Sequence, residues 1–200
     1  MERNIQNLLG NIGNGIKSKV SSIFVPAKQV VSPAAPPIPT IKGVPPEYVP
    51  YIQEASKHTG IPVEQLASQF NSENGGNWSP TLRGKKDKTD LGITQLNPIA
   101  VATITGKNGG TNYFKNNYGE EFDPTNPRHQ ILGSGVYMNY LRQAALPAAG
   151  IKNPTTTDVM TSYNTGAAGY AKAKAGNSTK QARMRTYQNL LTSHGAQLTQ

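Results

Sequence analysis

Apolar residues recur at three- and four-residue steps along most of this chain, and the stretches that break the rhythm are rich in proline or glycine. Ile5, Leu8, Leu9, Ile12, Ile16, Val20 and Ile23 form the first stripe. Arg3, Lys17 and Lys19 fall off it, which predicts an amphipathic helix weakened by Gly10, Gly13 and Gly15. Such a helix either docks on its own domain or orders against a membrane or a protein partner. Pro26, Pro33, Pro36, Pro37, Pro39, Pro45 and Pro46 follow, a composition that favours extended polyproline backbone over regular structure. Residues 1–43 therefore read as an amphipathic segment with a Pro-rich linker, and the domain boundary falls near Gly43.

Residues 44–200 carry a helical pattern throughout. "PPEYVPYIQEASKHTG" opens on proline and stops at Gly60, and "IPVEQLASQFNSENGG" has Pro62 in its first turn and ends in glycines. Val63, Leu66, Ala67 and Phe70 make the apolar face of the second helix. Glu73 lies three residues after Phe70, so it points to that same inner side. Further helices are expected at "NPIAVATIT", at "PRHQILGSGVYMNYLRQAA" with Ile131, Val136, Tyr140 and Leu141 inward, at "TTTDVMTSYN" and at "TKQARMRTYQNLLTSHG". Alternating strand patterns are scarce and no internal repeat is present, so the fold class is mainly α.

Two hundred residues suit one domain with an appendage, and no apolar run of about 18 residues predicts a membrane span. The first twenty residues lack the apolar core and cleavage site of a secretory signal peptide, so work outside the cytoplasm would need a non-Sec route. Without cysteine there is no disulfide, thiol nucleophile or thiolate metal site. The net charge of +9 points to an anionic partner: nucleic acid, an acidic membrane face or the bacterial wall. Basic residues are not interleaved with aromatics in a binding motif, so nucleic acid is not expected. With only 11 acidic residues against 20 Lys and Arg, an acid aimed inward at a helix end calls for a reason.

Four short stretches, in order, supply one. "NSENGG" with Glu73, "DLGITQLNP" with Gly92 and Gln95, "ILGSGVYMNYL", and "SYNTG" with Tyr163, Asn164 and Gly166 resemble the soluble lytic transglycosylase family of the lysozyme-like fold. The resemblance covers roughly Tyr48 to Leu191. It implies a peptidoglycan-cleaving enzyme acting between N-acetylmuramic acid (MurNAc) and N-acetylglucosamine (GlcNAc), with Glu73 as general acid and then base and a 1,6-anhydromuramyl product. Gln95 and Gly92 would line the sugar cleft, Asn164 would shape the turn beneath the sugar, and the Tyr163 hydroxyl would bond the catalytic carboxylate. Neither cofactor nor metal is implied. The pattern departs at Asn74, where a serine is common, and at Thr94, where a methionine is.

The chemistry agrees with the residue types. A glycosidic oxygen is a poor base, so its proton donor must stay neutral near pH 7, which burial beside apolar groups such as Phe70 achieves. A hydrolase needs a second carboxylate across the bond, and Asp87 and Asp90 are the candidates, so a muramidase remains an alternative. A wall-binding or structural module on the same fold is another. Trp78 either stacks on a sugar face or fills the core. "RGKKDK", Arg83 to Lys88, is either a solvated loop or a steering patch for anionic glycan. His58, His129 and His194 are scattered, without metal-ligand spacing. The appendage suggests a virion component that opens the wall for genome ejection, or part of a secretion apparatus, with residues 1–43 contacting protein partners or a membrane surface.

Overall fold

The computed structural model describes residues 40–84 and 88–198, so the N-terminal stripe and most of the proline segment lie outside the described residues. What is described is mainly helical, with isolated bridges but no strand. A single 3-10 turn, Pro46–Tyr48, leads into α1, Val49–Thr59, which buries Val49, Ile52, Ala55 and Thr59 on one side. Helix α2, Val63–Asn74, buries Leu66, Ala67 and Phe70, while Val63 packs half-buried at its start. Ahead of Val44, Ile41 packs against the core and the Gly43 carbonyl accepts a hydrogen bond from Trp78 Nε1 at 2.7 Å.

Helix α3, Pro98–Thr105, starts on Asn97, whose side chain accepts from Ala100 N. A short α4, Tyr113–Tyr118, and the loop after it present Phe114 and Phe122 edge to face, with ring centres 5.1 Å apart. Helix α5, Pro127–Tyr140, is the central rod and runs on through a π turn, Leu141–Ala145, into Leu146–Ala148. Its small residues explain that position. A Cβ on Gly135 would sit 3.3 Å from Thr59 Cγ2 and 3.4 Å from Ala55 Cβ, so α1 approaches α5 closely there. Ile131, Leu132, Val136, Met138 and Leu141 are buried, and each such side chain contributes about 2 kcal/mol. Tyr140, expected inward, is only half-buried, because its ring pairs with Tyr137 and Tyr113 toward the surface.

Three helices complete the domain: α6, Thr156–Thr165, begun by a Thr155 and Asp158 capping box; α7, Ala167–Lys174; and α8, Ser178–Ser193. Met160, Tyr187, Leu191 and Ala196 form a second apolar cluster where α6 and α8 meet. The sequence pattern anticipates most of these elements but not α4 or α7. No helix among the described residues is long and apolar enough to cross a membrane.

The chain between α2 and α3 is irregular, pinned by isolated bridges at Arg83 with Leu91 and Leu91 with Leu96. Its anchor is Gln130 of α5. The side-chain Oε1 accepts from Ile93 N at 2.9 Å, and Nε2 donates to the carbonyls of Pro80 and Pro124, each at 2.8 Å. Gly92 passes directly over this amide at φ +80°, and a Cβ there would fall 2.1 Å from Gln130 Oε1. Gly92→Ala therefore combines backbone strain with displacement of a buried amide. Chemical denaturation should register a loss of about 3 kcal/mol, and a loss below about 0.5 kcal/mol would contradict the role given to this crossing.

Candidate active site

Glu73 stands one residue before the end of α2, which Gly75 closes in the left-handed region at φ +64° by donating its N–H to the Asn71 carbonyl. Its side chain turns toward α8, as the helix phase requires, and partly faces an open cleft of about 1320 Å³. Tyr187 of α8 donates its hydroxyl to Glu73 Oε1, and Gln69, one turn back on α2, donates to the same oxygen at 3.2 Å and to the Tyr187 hydroxyl. Burial is the main reason that Glu73 is raised from its ordinary 4.5 to about 7. The Tyr187 hydrogen bond works against this, the negative charge of Asp90 adds to it, and the Gln69 bond opposes it. Burial and the Glu73 charge hold the Tyr187 phenol well above its usual range, so it remains a donor.

The loop between α2 and α3 brings Asp90 and Gln95 to the same cleft, and α6 brings Tyr163 and Asn164. Gln95 has a left-handed backbone at φ +50°, held by its own Nε2 donating to the Gly92 carbonyl at 2.7 Å. Arg183 of α8 donates to the Asn164 carbonyl at 2.9 Å and so fixes the end of α6 at the cleft rim. Ile99 and Leu190, the large apolar side chains left exposed among the described residues, both line this cleft. Apolar edges around polar groups match the alternating C–H faces and hydroxyls of a sugar.

Several expected roles move. Tyr163 does not bond the carboxylate: its hydroxyl donates to the Thr94 carbonyl at 2.9 Å and meets Ser134 Oγ at 3.0 Å. Tyr187 makes that contact instead, because α8 rather than α6 lies against the end of α2. Gly92 is buried over Gln130 rather than presented to a ligand. Trp78 is not a cleft residue either. Its indole is 7% exposed, stacks on Tyr48 at 5.8 Å, and donates to Gly43 O and to Asn71 Oδ1 at 3.0 Å, so its one polar group is spent in the core. Asp87 lies outside the described residues, as does the middle of the basic run, although Arg83 reaches the cleft.

The positions that depart from the sequence pattern have structural partners. Asn74 Nδ2 donates to the Ile93 carbonyl at 3.0 Å, and Thr94 Oγ1 donates to the Gln130 carbonyl at 3.1 Å. Tyr187 has no motif to single it out: its spacing from Leu191 marks it as inward, but nothing in the local sequence says which group it meets. No protein-family model matches the chain, and a search of curated proteins finds no match.

An acid with a raised pKa weakens the fold as pH rises. Between pH 4.5 and about 7 the folded chain keeps the Glu73 proton that the unfolded chain has lost, so stability falls across that window. Glu73→Gln should be more stable than wild type at pH 8 by on the order of 2 kcal/mol, with the difference closing below about pH 4.5. Thermal unfolding across pH reads this directly, and equal stability of the two proteins at pH 8 would show that Glu73 carries no such penalty.

Proposed function

We propose that this protein is a peptidoglycan lytic transglycosylase with a lysozyme-like domain, cleaving the MurNAc to GlcNAc bond with Glu73 as acid and then base. The observation that carries the reading is the Glu73 carboxyl, held neutral up to about pH 7 and hydrogen-bonded by Tyr187 at an open cleft of about 1320 Å³. The Glu73 proton passes to the glycosidic oxygen as the bond from that oxygen to C1 of MurNAc breaks. The carboxylate then takes the proton of the MurNAc 6-hydroxyl as its oxygen bonds C1, which closes the anhydro ring and restores the acid. Tyr187 and Gln69 hold the carboxyl in place through both halves. A net charge of +9 suits an anionic wall, and use in a virion or a secretion apparatus, docked through residues 1–43, fits the sequence.

Asp90 favours a second reading. It lines the same cleft and is near enough for its charge to raise Glu73, so it could serve a muramidase as base for water or as nucleophile. A purely structural or wall-binding module is disfavoured, since an acid whose ionisation is opposed by burial costs stability and gives a binder nothing.

Mass spectrometry of fragments released from purified peptidoglycan separates these readings. Anhydromuramyl ends, lost in Glu73→Gln and kept in Asp90→Asn, are expected; reducing ends lost in both variants would make the protein a hydrolase. Absence of any release would remove the enzyme reading. Because the Tyr187 bond lowers the Glu73 pKa, Tyr187→Phe should move the high-pH fall of activity upward from about 7. A downward move would mean that the hydroxyl acts on something other than this carboxyl.

A further inference from the structure

Beside the cleft lies a second cavity of about 320 Å³, sharing Thr89, Leu96 and Pro98 with it. Its walls are apolar: Leu91 and Leu96 from the irregular loop, Pro98 and Val101 from α3, and Phe122 and Pro124 from the loop before α5. Gln130 reaches its floor, but both ends of that amide are engaged with the main chain. Lys107 stands at the cavity, exposed and without an ion pair among the described residues, and no carboxylate lines the cavity among them.

A sugar does not suit this cavity, since its hydroxyls would lose water and gain almost no partner. A small alkyl group suits it, and a ligand that also carries a carboxylate would meet the Lys107 ammonium. Thr89, Leu96 and Pro98 line both cavity and cleft, so the cavity lies directly beside the cleft. Building on the transglycosylase reading, the part of the substrate with that chemistry is the short peptide on the MurNAc lactyl group, with small alkyl side chains and free carboxylates. We infer that this cavity is a subsite for the peptide arm, its alkyl groups in the apolar walls and a carboxylate on Lys107, so that the enzyme selects peptide-bearing strands over bare glycan.

The test uses binding, so that it stands apart from turnover. The GlcNAc–MurNAc disaccharide with its peptide, and the same disaccharide stripped of peptide, are titrated calorimetrically into the full chain, wild type, Lys107→Gln and Ala102→Leu. Ala102 lines the cavity, and leucine there fills it. The peptide-bearing ligand should bind about tenfold more tightly to wild type, a charge-assisted bond with some apolar burial, and either substitution should erase most of that preference. Equal affinity for the two ligands, or a preference that survives Lys107→Gln, overturns the subsite. Cleavage of whole peptidoglycan without a peptide preference would discard the subsite and leave the reaction. A peptide preference without cleavage would discard the reaction and leave the site.

Discussion

The side-chain amide of Gln130 holds the loop wall of the cleft in place, and with it the wall of the neighbouring cavity. It stands on the central helix and takes up main-chain polar groups at three points in two segments, Pro80 and Ile93 of the stretch between α2 and α3 and Pro124 of the loop before α5. The irregular stretch between α2 and α3 has only isolated bridges of its own. Left to itself it would sample many conformations, each residue fixed costing roughly 1–2 kcal/mol of backbone entropy. Three hydrogen bonds from one rigid position, one buried and two partly so, offset part of that cost, and an amide stranded there without them would be destabilising. Asp90 and Gln95 owe their places at the cleft to this anchor, and the neighbouring apolar cavity uses the same amide as its floor.

The sequence makes much of this legible and hides the rest for physical reasons. Long helices with regular apolar spacing, α1, α2, α5 and α8, follow from periodicity because burial of one face is what forms them. Helix α4 is six residues long and α7 is mostly alanine, glycine and lysine, so neither carries a stripe. The inward turn of Glu73 is a local property, fixed by its distance from Phe70. Its bond to Tyr187 spans 114 residues and depends on which helix lies against the end of α2, which no local pattern encodes. Tyr163 and Trp78 teach the same lesson from the other side. Both are buried aromatics with one donor, and the nearest backbone acceptor decided where that donor went.

Asn74 and Thr94 show how a changed residue can be absorbed. Each uses a short polar side chain to reach a main-chain carbonyl across the gap between α2, the loop and α5. Asn74 also accepts from Gly76 N at 2.8 Å, so it shapes the turn after the helix as well as tying that turn to the loop. The neighbourhood of Glu73 is thus braced by main-chain acceptors rather than by charge, consistent with a site that must disfavour a negative group.

The position of Glu73 along its own helix has a further effect. Helix α2 ends at Asn74, so the carboxyl sits in the last turn, near carbonyl oxygens that carry the negative end of the helix dipole. A negative charge in that place is opposed by about 0.3–1 kcal/mol. Chain direction alone therefore leans this acid toward holding its proton; carried on the first turn of the same helix, the same carboxyl would lean toward giving it up.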